Sequence, residues 1–413
     1  MCAWSWQGRR VPCFEPFAAV RFAAAEDLTQ VIAPPYDVLS DADVDALAAR
    51  SPHNIVHVDV PRGGPDRYER AAELMQHWLA DGVLEQDDEP GFTIYRMRFT
   101  DASGAPRDIA GVLGGLEVVD VDAGGVLPHE RTTPKASTDR LDLTRATRAN
   151  LSPVWGLSLA AGLTALLAEP GEPVGRLVDD GPSTGSGGPV EHLVERVTDP
   201  VRVAAIQSVV AADDVLIADG HHRYGISRTY RDEVRTATGR TDTAAEQTLA
   251  FVNELVPEQL SVAAIHRLYS DVTLPELTAA LEPHFAVAPI DPPTAETLAA
   301  MEADGFLVLV GPAAAWRLSP KDGAFAGVRA LDGAWLEAAL AKVELTVAYQ
   351  HGLDETLAAV ESGDAAAAVL IRPVSVAEIE RTARDGLLMP PKSTFFTPKL
   401  KTGFTIRLLG ETA

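Results

Sequence analysis

The chain has 413 residues, 46% hydrophobic and 23% charged, the balance of an ordinary globular protein with room for two or three domains. Its net charge of −24 and its lack of a basic run argue against nucleic acid as a partner, because duplex binding needs clustered Lys and Arg. No run of about 18 apolar residues offers a membrane-spanning helix. Residues 1–10 lack the apolar core and small-residue cleavage site of a secretory signal. Cys2 and Cys13 make no disulfide framework, so a reducing cytoplasm is the expected setting.

In chain order, Ser40 is placed to cap a helix over residues 41–50. Residues 66–82, "DRYERAAELMQHWLADG", read as an amphipathic helix with a glycine stop. "FTIYRMRF" and "DIAGVLGGLEVVDV" flank a turn and predict a hairpin. "LDLTRATRANL" reads as helix and "VWGLSLA" as strand. Residues 179–189 form a Gly/Ser/Pro-rich loop. A helix at about residues 201–211 follows, then the strand "DVLIAD", a helix opening at "GHHRY", and the strand "TLAFVNEL". Beyond residue 270 helices ("LPELTAALEPHF", "DETLAAVESG", "SVAEIERTARDG") alternate with strands ("FLVLVG", "AWRLS", "AAVLIRP"). The fold class expected is mixed α/β, of the α+β kind. The expected regions are 1–178, 190–270 packing against the first, and 271–413.

The densest chemistry lies at the strand-to-helix turn "DGHHR". A helix N-terminus presents unpaired N–H groups and the positive end of the macrodipole, a ready anion site. Gly220 lets an anion approach the backbone, and Arg223 can grip phosphate oxygens bidentately. His221 and His222 add donors or a base. Asp219 is placed to cap, to hold a metal or to accept a proton. Neighbouring helical residues point roughly 100° apart, so the two histidines are not expected to share one ion. The plainer alternative is a capping Asp219, packed histidines and a surface pair for Arg223.

A second polar stretch, "LPHERTTPKASTDRLDLTRATRANL", offers His129 and Glu130 as an acid–base pair. Thr132 and Lys135 are its donors to phosphate, and Arg140, Arg145 and Arg148 follow. Helical spacing places Arg145 and Arg148 on one face, while Asp142 and one arginine suit a surface pair. A third, "MPPKSTFFTPKLKTGF", lacks the glycine cradle of a P-loop but offers Lys392, Ser393 and Thr394 on a proline-bracketed loop. The chain has only six lysines, and Lys135, Lys392, Lys399 and Lys401 fall in these two stretches. "APPYDVLS", with Tyr36 and Asp37, is a fourth polar patch.

With these segments in hand, the chain resembles the bacterial and archaeal proteins grouped as Domain of Unknown Function 1015. The matching pieces are "APPYDVLS", "HERTTPKASTDRL", "ANLSPVWGL", "IADGHHRY", "IHRL" and "MPPKSTFFTPKLKTG", in family order from residue 33 to residue 404. More distantly, "DGHHRY" is similar to the nucleotide-phosphate loop of the ParB/sulfiredoxin superfamily. That likeness implies a ParB/sulfiredoxin-like nucleotide-binding core with additional α/β regions. Sulfiredoxin chemistry needs a cysteine in the loop, where His221 and His222 stand. ParB-type proteins carry a basic helix-turn-helix, which this acidic chain lacks. The remaining branch implies a small-molecule kinase using ATP or ADP with Mg²⁺, free L-serine being the first acceptor to consider. On that reading Gly220, His222, Arg223, Thr132, Lys135, Arg140, Lys392, Ser393 and Thr394 hold the nucleotide. Asp219 or Glu130 takes the hydroxyl proton, with His221 or His129 assisting. A nucleotide-binding regulator without transfer chemistry and a metal-assisted phosphohydrolase using His129 and Glu130 remain open as alternatives. No dedicated protein metal site is expected, and the expected partner is a small-molecule substrate.

Overall fold

Ser40 opens the first long helix as its chemistry requires. Its hydroxyl accepts from the Asp43 amide at 3.2 Å and the Asp43 carboxylate accepts from the Ser40 amide at 2.9 Å, closing a reciprocal cap on the helix Asp41–Arg50. The computed structural model describes residues 10–101, 105–121, 123–128, 137–180, 188–390 and 392–410. The amphipathic helix Arg67–Ala80 follows, burying Tyr68, Ala71, Met75 and Trp78. The strands Phe92–Thr100 and Pro106–Glu117 then pair antiparallel, Tyr95 opposite Gly111.

That hairpin is the middle of a mixed sheet of nine strands among the described residues. On one side of it the order runs Gln247–Glu254, Val154–Ser158, Val215–Asp219 and Val126–Pro128. On the other lie Val190–Val197 and Glu172–Asp179. Gln247–Glu254 is parallel to Val154–Ser158, which is antiparallel to Val215–Asp219. Both faces are covered. Leu249 and Phe251 pack in one core while Ala250 and Val252 pack in the other, the alternation a strand imposes. Gly111 is fixed by this packing, since a Cβ there would sit 2.3 Å from the Phe251 ring.

A second sheet of six antiparallel strands uses residues 266–370. The chain then returns. Phe395–Phe396 pairs with Val262–Ala263, and Arg407–Leu408 pairs with Ala149–Asn150 beside the first sheet. This return carries Lys399 and Lys401 into the first core region. Among the described residues no helix is long and apolar enough to cross a membrane.

The expected helix "LDLTRATRANL" is displaced. It runs Ser137–Thr147 and stops there, with Arg148 in the left-handed region at φ 48° and Ala149–Asn150 claimed as a strand by the returning tail. Arg145 and Arg148 therefore do not share a helix face. Arg145 instead joins Asp142, three residues earlier, to Glu233 of the helix His221–Thr238.

Under the first sheet His192 is fully buried, its Nδ1 2.8 Å from the Tyr95 hydroxyl. Burial, reinforced by the Lys401 ammonium, pushes its pKa from 6.5 down to about 3. Between those values the unfolded chain binds a proton that the folded chain does not, so stability must fall as pH falls through that window. His266 and His351, both lowered to about 4, add to the same slope. His192→Gln is expected to reduce the drop in urea midpoint between pH 7 and pH 4.5. An undiminished drop would assign the slope to other groups.

Candidate functional site

The strand Val215–Asp219 ends in an acid, and the helix His221–Thr238 begins two residues later. Gly220 makes the turn at φ +85° and ψ 27°, a region that favours glycine. Its carbonyl accepts the first helical bond from the Tyr224 amide at 2.9 Å. Gly220, as the N-cap residue, has no side chain with which to cap the helix. Asp219 Oδ1 accepts from the Gly220 amide at 2.8 Å. The Gly220 amide is therefore engaged with Asp219 and is not among the donors that a helix start could offer an anion. His221 and His222 occupy the first two helical positions, both half-buried.

Asp219 has a second partner that comes from far along the chain. Lys399 Nζ donates to Asp219 Oδ2 at 3.0 Å, while the ammonium also lies 4.3 Å from the centre of the Phe395 ring. Burial alone would raise the Asp219 carboxyl, but Lys399 and Arg223 overcome it and hold the group well below the usual carboxylate range. A carboxylate so stabilised is a strong counter-ion and a weak proton acceptor.

Arg223 is buried, with its side chain 12% exposed. Its Nη1 donates to the Pro153 carbonyl. Its Nη2 stands 3.9 Å from Asp37 and 3.7 Å from Asp219, too far for hydrogen bonds. Its Nε is buried with no partner. The Nε–Nη2 edge, which fits two oxygens of a carboxylate or phosphate, is thus held in place, with Nη2 in two long ion pairs and Nε without a partner among the described residues. A Cβ at position 220 would lie 3.0 Å from that Nε and 3.3 Å from Nη2, so the guanidinium would have to give by a few tenths of an ångström in addition to the strain of the backbone conformation.

Arg223 and Arg140 line one cavity of about 50 Å³, together with Asp59, Ser152, Ser227 and Thr248. Arg140 Nη1 donates to Asp59 Oδ1 at 3.1 Å and to the Asp59 carbonyl at 2.5 Å. Its guanidinium also stacks 4.1 Å from the centre of the Tyr36 ring. Asp59 is almost completely buried at 3% exposure. Burial raises its carboxyl above the usual range, Asp37 adds to the rise, and Arg140 and Arg223 oppose it.

The structure therefore brings Arg140, Asp219, Gly220 and Arg223 into one neighbourhood. His129, Glu130, Thr132 and Lys135 lie outside the described residues. The third stretch divides. Lys392 is exposed, at φ 59°, and its carbonyl accepts from Arg267 at 3.3 Å. The Ser393 hydroxyl donates to the Pro390 carbonyl at 2.7 Å, a turn contact, and Thr394 is partly buried beside it. The same stretch delivers Lys399, which the sequence marked only as one of the clustered lysines. Asp37 and Tyr36 were marked as a polar patch without a role. Asp59 carried no signal, because one acid in "NIVHVDV" looks like an ordinary exposed residue.

A family model described as "Protein of unknown function (DUF1015)" matches residues 14–346. No curated protein matches the chain. Among solved structures it is similar to a conserved hypothetical protein from Pyrococcus furiosus, at 13% identity and a TM-score of 0.36, over 68% of this chain and 92% of that one. It is similar to a free serine kinase in complex with AMP at 12% identity and a TM-score of 0.36, over 68% and 88%. It is also similar to SbnI with a C-terminal truncation from Staphylococcus aureus at 12% identity and a TM-score of 0.39, over 73% and 90%.

Proposed function

The chain belongs to the DUF1015 family, and we propose that it is a small-molecule kinase that binds a nucleotide at the Gly220–Arg223 turn and transfers a phosphoryl group to a hydroxyl. The observation that carries this reading is the buried Arg223 Nε, without a partner among the described residues, in the first turn of a helix that opens at a glycine. A buried donor without a partner costs roughly 1–3 kcal/mol, a cost that a bound anion would remove. Arg140 and Lys399 supply further positive charge close by. Phosphoryl transfer asks mainly for positioning and neutralisation of developing charge, which such a set provides.

Mg²⁺ would accompany the nucleotide. Among the described residues no group of three His, Cys, Asp or Glu side chains is arranged to hold a metal. Mg²⁺ is commonly held by one or two carboxylates plus substrate phosphates and waters, so the ion would arrive largely on the phosphates. When bound it would neutralise phosphate charge.

Free L-serine is the first acceptor to test, on the resemblance of the "DGHHRY" loop. The test is phosphorus NMR of the purified protein with Mg²⁺, ATP or ADP, and pooled amino acids and small alcohols. A new phosphomonoester resonance is expected, and omitting acceptors singly would name the substrate. Inorganic phosphate alone would mean a hydrolase. An unchanged spectrum with nucleotide-dependent thermal stabilisation would mean a regulatory binder.

A further inference from the structure

We propose that Asp59 is the base that removes the proton from the acceptor hydroxyl, an inference that rests on the kinase reading above. Its place in the fold supports the role. Asp59 ends the short helix Val56–Asp59 and lines the cavity shared by Arg140 and Arg223. Arg140 fixes one carboxylate oxygen, Oδ1, at 3.1 Å. The other, Oδ2, accepts no hydrogen bond from any described residue. One oxygen is anchored and one is available, as a proton acceptor in a tight site requires.

Asp219, beside Arg223, and Asp59, paired with Arg140, have surroundings that push them in opposite directions. Asp219 is held ionised by Lys399 and Arg223. Asp59 is raised by burial, with Asp37 adding to the rise. The charged and titratable groups that face Asp59 are Arg140 from the helix Ser137–Thr147, Arg223 from the helix His221–Thr238, and Tyr36 and Asp37 from the turn Tyr36–Val38. A carboxylate whose proton affinity is raised is the better base, and its neighbour the better counter-ion. Of the two carboxylates expected from the sequence in this role, Asp219 is tied to Lys399 in an ion pair and Glu130 lies outside the described residues.

The step balances as follows. The acceptor O–H bond breaks and the proton passes to Asp59 Oδ2. The oxygen lone pair forms a bond to the terminal phosphorus of the nucleotide. The bond from that phosphorus to the bridging oxygen breaks, and the nucleotide leaves with the electron pair, one phosphate shorter. The proton on Asp59 is then lost to water.

The test uses the full chain with Mg²⁺, the nucleotide and the acceptor identified by phosphorus NMR. Asp59→Asn is expected to lower kcat by about 100- to 10,000-fold, the range for general-base removal. Nucleotide affinity, read by calorimetry, should stay within about threefold, because the phosphate grip is Arg223 and not Asp59. In the wild type kcat should fall as pH drops through the raised Asp59 value, and the residual rate of Asp59→Asn should lack that limb. Should Asp59→Asn not fold, Asp59→Glu is to be used, with a loss of at least about tenfold expected from the displaced oxygen. Near-wild-type turnover in whichever variant folds would overturn the base assignment while leaving the kinase reading intact. Absence of any phosphomonoester from the wild type would overturn both. Retention of the acidic limb in Asp59→Asn would also overturn the assignment, by placing that titration on another group.

Discussion

Arg223→Ala is expected to weaken nucleotide binding by about 100-fold or more and to abolish phosphoryl transfer, while the protein stays folded. Nη1 is spent on the Pro153 carbonyl, whereas Nε and Nη2 make no hydrogen bond. A bidentate arginine–phosphate contact supplies two charge-assisted hydrogen bonds, each about 1.5–3 kcal/mol, so its loss corresponds to two or more powers of ten. Folding should survive because Asp219 keeps Lys399 and Asp59 keeps Arg140. Arg223→Lys should be intermediate, since it restores charge without the planar fork. Calorimetric titration with ADP and ATP measures both variants. Unchanged affinity in Arg223→Ala would remove Arg223 from the ligand site and leave its orphaned Nε as a purely structural feature.

Much of this neighbourhood was legible from residue order. An acid, a glycine and a polar helix start after an apolar run can only place those groups at one strand-to-helix turn. The Ser40 cap, the helix ending before Gly82 and the central hairpin are equally local, because each depends on groups within a few residues of one another. What local order does not encode is which distant partner each charged group finds. Asp59 meets Arg140, 81 residues later, and only folding shows that the pair is buried. The helix that should have run to Leu151 stops at Thr147, because Ala149 and Asn150 are hydrogen-bonded by a strand some 250 residues further on. Intrinsic helix preference is weak enough that such pairing decides the matter.

The lysines show the same limit from the other side. Their scarcity and clustering drew attention to a stretch that supplies two buried ion pairs. Within that stretch Lys392 was the expected ligand, for its place beside Ser393 and Thr394. Yet Lys392 is exposed, whereas Lys399 and Lys401 are buried in ion pairs with Asp219 and Asp179. The choice among three lysines is made by how the tail re-enters the first sheet, and no spacing rule contains that.

Lys399→Met follows as the second large effect, and it falls on stability. Removing one partner of a buried ion pair typically costs about 3–5 kcal/mol, because the other charge stays behind in a poorly solvated site. Here the Asp219 side chain is 26% exposed and Arg223 remains 3.7 Å away, so a smaller loss of about 2 kcal/mol is expected. The Asp219 carboxyl should then rise, since the ammonium is the main force holding it down. In the wild type the pair's stabilisation is present above the ordinary aspartate range and is lost as pH falls through the depressed value. Lys399→Met should lose that stabilisation already at neutral pH. Asp219→Asn in the same chain should recover part of the loss, as the stranded charge is gone. The four urea midpoints of this double-mutant cycle measure the coupling directly. A coupling near zero would mean that Arg223 alone balances Asp219. A large one would establish that the returning tail is held to the Gly220–Arg223 turn by this pair, so that tail and turn are expected to order together.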